Sequence, residues 1–294
     1  MRNVSRRELL QGTAAAGFVG LSSATARASV QPFAFDPPIG ACGGLSRGKA
    51  LAKHGGAYLE VSCGQLLVPG KSEAAFQEQL KLLRASPVPV IAANSFLPGK
   101  LQCTGPAADH DAVLAYVAIA FERAQRAGIR TITFGSSGAR TLPDGFPLDQ
   151  ARLQFVAVLA RMAPLAEQHD IIVSVEPLQR AETNFLNRVS EALPLIEAVD
   201  HPHIRITADI FHMLREDDPP ASIRKAGELI HHVHIAEKAG RTPPGTDGDN
   251  FRPYLNALRE IGFEGSVSIE CRWKDFDAEI GPALAALRAQ ISDV

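Results

Sequence analysis

Eight short apolar runs, rich in β-branched residues, alternate one for one with segments of helical periodicity. The strand-like runs are residues 39–42, 58–61, 88–93, 131–134, 171–176, 204–209, 230–236 and 266–270. The helical segments are residues 45–54, 72–85, 111–127, 149–169, 189–199, 220–227, 251–261 and 277–291. Two architectures satisfy such an alternation, an open doubly wound sheet or a closed (β/α)8 barrel. A dinucleotide-binding open sheet would place G-x-G-x-x-G after its first strand, and Gly40-Ala41-Cys42-Gly43-Gly44 does not supply it. The count of eight, and a length of about 265 residues once the N-terminal segment is set aside, favour the barrel. No linker or internal repeat interrupts the alternation, so residues 29–294 are expected to form a single (β/α)8 TIM barrel.

Residues 1–28 read as a twin-arginine export signal. Ser5-Arg6-Arg7-Glu8-Leu9-Leu10 precedes a small, mildly apolar stretch, and Ala26-Arg27-Ala28 is an A-x-A cleavage site. Cleavage is expected after Ala28 and the mature protein is expected in the periplasm. The twin-arginine route carries folded proteins, so a metal could be inserted before export. The chain is 46% hydrophobic and 21% charged, with a net charge of −2. A nucleic-acid partner would ask for a basic face, which this balance argues against. Beyond the N-terminus no apolar run is long enough to span a bilayer. Cys42, Cys63, Cys103 and Cys271 match no zinc spacing and read as small buried hydrophobes, with a periplasmic disulfide as the alternative.

Four strand-like runs end in a polar group where packing would favour an apolar one: Glu176, Asp209, His234 and Glu270. Side chains alternate along a strand, and barrel enzymes carry their chemistry at the carboxyl ends. With Val173, Val175, Ile206, Ala208, Val233, Ile235, Val267 and Ile269 facing the helices, all four polar ends fall on the inward phase. A one-residue slip in any strand would break this agreement. Three carboxylates brought together repel one another unless a cation joins them. Their oxygens and one imidazole nitrogen suit Mn2+, Mg2+ or Co2+ in a site with open positions. The alternative is a buried ion-pair network, but no Lys or Arg stands at these strand ends to neutralise three acids. Glu182, His212 and Arg241 lie on the loops that follow, where they read as pocket groups or as solvated loop charges. Glu60 ends the second strand on the inward phase, as a polar contact to substrate or a support behind the site. His54, His110, His169, His201 and His203 fall on helical or loop stretches away from the strand ends.

The segments VEPLQRAETNFLNR, ADIFHM, HVHIAEKAGRTPPG, ALREIGFEGSVSIEC and ITFGSSGART together resemble the xylose isomerase-like TIM-barrel superfamily. Within it they are most similar to the D-tagatose (D-psicose) 3-epimerase branch of sugar isomerases and epimerases. The resemblance is strongest over residues 128–273, with YLEV and NSFLPG as weaker matches before it. It implies that Glu176, Asp209, His234 and Glu270 ligate a divalent metal, with Mn2+ first. It implies that Glu176 and Glu270 are also the acid/base pair, and that Glu182, His212 and Arg241 meet substrate hydroxyls. The implied reaction is C3 epimerisation of a free ketose. A carboxylate of pKa ~4.3 facing an α-proton weaker by more than ~10 units is mismatched by roughly 14 kcal/mol, which a divalent cation would offset by stabilising an enediolate. The implied partner is a small sugar, and relatives of this kind form homodimers or homotetramers.

The same scaffold serves aldose–ketose isomerases and keto-sugar or inosose dehydratases, and these motifs do not separate them. A phosphorylated substrate would need a phosphate cradle, for which the GSSGAR turn is the best candidate. An endonuclease IV-like DNA-repair enzyme would need more histidine ligands and a basic face. A non-catalytic periplasmic sugar-binding barrel would usually lack one of the acids, and all are present.

Overall fold

The eight apolar runs become eight strands of one closed sheet. The computed structural model describes residues 35–294, so the expected export segment, residues 1–28, lies outside the described residues. Along the chain run β1 (Ile39–Cys42), α1 (Gly48–Lys53), β2 (Leu59–Ser62), α2 (Cys63–Leu66), α3 (Glu73–Arg84), β3 (Val90–Asn94), α4 (His110–Ala127), β4 (Thr131–Phe134) and α5 (Leu148–Gln168). They continue with β5 (Ile172–Val175), α6 (Val189–Val199), β6 (Ile204–Asp209), α7 (Ile210–Arg215), α8 (Pro220–Ala226), β7 (Ile230–Ile235), α9 (Arg252–Glu260), β8 (Ser266–Ile269) and α10 (Phe276–Ser292). Strands pair in parallel in sequence order, and β8 pairs with β1 to close the barrel. No helix of the described residues is long and apolar enough to cross a membrane.

The differences from the sequence pattern have local causes. The third run starts two residues later than its apolar pattern, because Pro89 has no N–H to give; its carbonyl still accepts from Leu59 N at 2.9 Å. Glu176 and Glu270 stand just beyond β5 and β8, yet their N–H groups still bond Phe134 O and Ile235 O, each at 3.1 Å. The short helices α2 and α7 are too brief for periodicity to reveal. The longer helices start where a side chain supplies an acceptor: Ser72 for α3, Asp109 for α4 and Asp275 for α10. Helix α4 stops at Gly128, whose φ of 78° suits a residue without Cβ.

The apolar core lies between the strands and the helices. Phe96, Phe121, Phe134, Phe155 and Phe185 form a continuous chain of ring contacts at 5.5–5.7 Å. Such pairs contribute about 0.5–1.5 kcal/mol each beyond their burial. The barrel interior is polar instead. Tyr58 reaches Ser268 at 2.8 Å, Thr207 donates to Ser174 Oγ at 2.7 Å, and Glu60 meets His232 at 2.8 Å. Gly40 makes this possible, since a Cβ there would stand 2.6 Å from the Tyr58 ring. The four cysteines are free, with Cys63 and Cys103 buried.

At the lower end of β7, His231 contacts Thr131 Oγ1 at 3.0 Å. Burial, helped by the charges of His232 and Arg205, lowers its pKa from 6.5 to about 4. The folded state therefore binds fewer protons than the unfolded chain between these values, and the stability held above pH 6.5 is lost as pH falls towards 4. One such proton contributes a slope of up to about 1.4 kcal/mol per pH unit. Urea unfolding of wild type and His231→Gln between pH 7 and pH 5 is expected to show a shallower pH dependence in the variant. Parallel curves would contradict this account of His231.

Candidate metal centre

Four strand ends deliver their side chains to one point. One donor atom each from Glu176, Asp209, His234 and Glu270 lies within 4.8 Å of all the others. Donors about 2.0–2.3 Å from a shared cation span a similar distance. His234 Nδ1 stands 2.6 Å from Glu176 Oε1 and 3.3 Å from Glu270 Oε2. Asp209 Oδ1 accepts the His212 N–H at 3.1 Å and so caps α7, which fixes the carboxylate's orientation. Asn94, the last residue of β3, donates to Glu270 Oε1 at 3.3 Å.

Arg241 enters from the loop after β7. Its guanidinium pairs with Glu270, lies 3.5 Å from both Asp209 and Glu182, and stacks 4.7 Å above the Phe211 ring. This corrects the sequence argument that no cation stands near the acids. The loop brings one, because Arg241 adopts φ 56° and its carbonyl is held by Arg272 N at 2.7 Å. One guanidinium among four carboxylates still leaves the mouth acidic. Burial, reinforced by the neighbouring carboxylates and only partly opposed by His234 and Arg241, raises the Glu176 and Asp209 carboxyls. For Glu270, burial acts upward but His234 and Arg241 outweigh it, leaving about 2. His234 is raised well above its ordinary value, since Glu60, Glu270 and Glu176 overcome its burial. An oxygen-rich set with one nitrogen, compact and short of positive charge, fits a hard divalent cation.

A cavity of about 280 Å³ opens beside the cluster. Asn94, Glu176, Glu182, His212, Arg241 and Glu270 line it, together with Ser95, Leu97, Leu178 and residues 135–138. Gln179 N–H donates to His212 Nδ1 at 3.1 Å, so that nitrogen carries no proton. Burial lowers the His212 pKa to about 4, and the neutral ring therefore holds its hydrogen on Nε2. Nε2 is buried and has no hydrogen-bond partner among the described residues, although Asp209 Oδ2 lies 3.4 Å away. With a neutral ring this pair is a contact, not a salt bridge. His212 thus offers one unused donor at the cavity wall.

Residues 49–291 match the family described as xylose isomerase-like TIM barrel. The chain belongs to that family. Among curated relatives, it is 32% identical over 120 residues to a D-psicose 3-epimerase of Enterocloster bolteae, covering 40% of each chain. It is 36% identical over 115 residues to a ketose 3-epimerase of Arthrobacter globiformis, covering 39% of each. The matched segment therefore spans about two fifths of these relatives' length. The fold is similar over more of the chain. The D-psicose 3-epimerase of Clostridium cellulolyticum H10, solved with D-tagatose, matches with a TM-score of 0.76 at 20% identity, covering 86% of this chain and 99% of that one. The apo 3-keto-D-glucoside 4-epimerase of E. coli matches at 0.73 and 20% identity, covering 86% and 100%.

In this xylose isomerase-like barrel, Glu176, Glu182, Asp209, His212, His234, Arg241 and Glu270 come together as the sequence suggested. Glu60 does not line the cavity. It is 0% exposed, one layer below the mouth, because its strand position points it across the barrel at His232 and His234. Of the two readings open for Glu60, contact to substrate or support behind the site, this position matches the second. Three residues escaped the sequence reading. Asn94 lies on the inward phase, but the third run was ended one residue short of it. Arg140 is a fully buried arginine that donates to Phe134 O at 3.3 Å and Glu176 O at 2.5 Å, clamping two strand ends. Gly135 gives Glu176 room, since a Cβ there would lie 2.1 Å from Glu176 Oε2. Gly135→Ala is accordingly expected to displace the Glu176 carboxylate and weaken Mn2+ binding by at least tenfold with the fold intact. Calorimetric titration with Mn2+, beside circular dichroism, checks this; unchanged affinity would show that Glu176 does not bind from this position.

Proposed function

We propose that this barrel is a divalent-metal-dependent sugar isomerase or epimerase, with C3 epimerisation of a free ketose as its reaction. One observation carries the reading: Glu176 and Glu270 belong to the four-donor cluster and also line the same cavity. Relatives named as ketose and D-psicose 3-epimerases support it. The cavity, near the small end of ligand sites, suits a monosaccharide. Glu176, Asp209, His234 and Glu270 would hold the cation, with Mn2+ as the expected metal. A bound divalent cation would supply Lewis-acid stabilisation of the charge that develops on the ketone oxygen.

The chain's own residues account for the rest. Removing a proton from one face of C3 and returning one to the other takes two bases, because a single carboxylate reaches only one face. Glu176 and Glu270, at the ends of β5 and β8, take these parts in turn: one accepts the C3 proton while the other, protonated, delivers its own. His212 Nε2–H and the Arg241 guanidinium donate to substrate oxygens, and Glu182 accepts from a hydroxyl. Asn94 steadies Glu270 from β3. A second reading, epimerisation of a keto-glycoside, is favoured by the wall of Ser95 and residues 135–138, which carries no bulky side chain to exclude an aglycone.

Incubation with a panel of free ketoses in D2O is expected to yield a C3 epimer carrying solvent deuterium at C3, whereas a 3-keto-glycoside, whose C3 is the carbonyl, would take up deuterium at the adjoining C2 or C4. Glu176→Gln and Glu270→Gln should each lower kcat by about 10²–10⁴-fold, and chelation should abolish turnover until Mn2+ is returned. Epimer formation without deuterium would refute the proton-transfer mechanism. A binding protein without turnover would keep its sugar affinity in Glu176→Gln and show no exchange in wild type.

Export of the folded enzyme through residues 1–28 belongs to the same proposal. Replacing Arg6 and Arg7 by Lys is expected to retain the uncleaved protein in the cytoplasm, whereas wild type fractionates with the periplasm and begins at Ser29. Identical fractionation of the two would remove the export reading.

A further inference from the structure

Below the candidate metal centre, the barrel interior holds a buried carboxylate that the reaction does not use. Glu60 on β2 is 0% exposed, and four donors from three other strands converge on its two oxygens. Thr133 Oγ1 from β4 donates to Oε1 at 3.2 Å, and Ser268 Oγ from β8 donates to Oε2 at 2.6 Å. His232 Nε2 lies 2.8 Å from Oε2, and His234 Nε2 lies 3.0 Å from Oε1 and 3.1 Å from Oε2. An ionised carboxylate only accepts, so both imidazoles must present Nε2–H to it. The remaining hydrogens then follow in one direction. Ser268 spends its hydrogen on Glu60, so the Tyr58 hydroxyl donates to Ser268 Oγ at 2.8 Å. His232 Nδ1 lies 3.0 Å from Ser266 Oγ.

We propose that Glu60 is a positioning residue that keeps a proton on His234 Nε2, so that Nδ1, turned towards Glu176, Asp209 and Glu270, is the nitrogen left to a bound metal. The inference rests on the proposed metal centre and deepens it. An imidazole can give a metal only the nitrogen that carries no proton, and the other nitrogen's hydrogen bond decides which one that is. His234 has one ring edge on Glu60 and the other on the mouth cluster, Nδ1 being 2.6 Å from Glu176 Oε1. Thr133, Ser268 and His232 occupy the other acceptor sites of Glu60, and so hold its carboxylate plane against rotation. An amide in its place has a single oxygen, and its NH2 must face at least one of the four donors.

The test uses Glu60→Gln in the full chain, with two readouts. Mn2+ titration should show affinity reduced by about 10–100-fold relative to wild type. In the 15N-histidine spectrum of the Mg2+-saturated wild type, His234 should carry an exchange-protected proton on Nε2 and none on Nδ1, and that signal should shift or vanish in Glu60→Gln. Wild-type affinity within twofold in Glu60→Gln, or a proton on Nδ1 in the wild-type spectrum, overturns the proposal. The wild-type spectrum decides the matter even if the variant does not fold. Cys42 Sγ also lies within 4.8 Å of the Glu60 and His234 donors. A second tightly bound Mn2+ that disappears in Cys42→Ser would put a metal on Nε2 and likewise overturn the assignment. A wild type that binds Mn2+ beside an unaltered Glu60→Gln sinks this inference alone, whereas a wild type that binds none sinks the metal reading with it.

Discussion

A carboxylate can sit inside a protein only where a cation or enough hydrogen-bond donors meet it. This barrel gathers Glu60, Glu176, Glu182, Asp209 and Glu270 at or just below one mouth, and much of its construction answers to that load. Each acid is met differently. Glu60 has four donors from three other strands, β4, β7 and β8. Asp209 caps α7, Glu176 faces His234, and Glu270 is shared between Arg241, His234 and Asn94. What remains uncompensated is concentrated at Glu176 and Asp209, whose raised carboxyls mark where added positive charge would be most stabilising.

The same demand explains why the barrel is polar within. In many (β/α)8 barrels, bulky branched side chains fill the interior in layers. Here Thr133, Ser174, Thr207, His232, Ser266 and Ser268 occupy it, and their hydrogen bonds cross between strands. Hydrophobic burial is supplied by the sleeve between strands and helices, where the five linked phenylalanines run. Folding and chemistry therefore use opposite faces of each strand. Glycines clear space at two contacts: Gly40 for the Tyr58 ring and Gly135 for the Glu176 carboxylate.

The loops above the strands complete the mouth by the same means. Glu237, fully buried, accepts the N–H groups of Gly245 and Asp247 at 2.5 Å each and so clasps the loop that carries Arg241. Gln179 holds the His212 ring through Nδ1 and leaves Nε2 without a hydrogen-bond partner among the described residues. Arg140 ties Phe134 O to Glu176 O from behind and sets the height of the β5 end. Glu176, His212 and the loop of Arg241 are thus each held by a partner outside the proposed substrate contacts.

Strand phase is a local property, and it made most of the site legible. Alternation along residues 171–176, 204–209, 230–236 and 266–270 was enough to put Glu176, Asp209, His234 and Glu270 on one face, and the count of eight runs chose the closed barrel. The failures were of other kinds. Asn94 was lost to a strand boundary misjudged by one residue. Arg241 was named, but its pairing with the acids depends on a loop path that includes a positive φ. Arg140 entered only as part of the GSSGAR turn, because a buried arginine in a turn looks like any surface charge until its neighbours are known. Glu60 was placed on the correct phase, but its depth, which separates contact to substrate from support behind the site, was not legible. By itself, then, the sequence determined which side chains point inward and that their charges conflict. Only the tertiary structure decided which of them meet, because contacts across a closed barrel are set by strand register and by loop paths, and these join residues as far apart as Glu60 and Ser268.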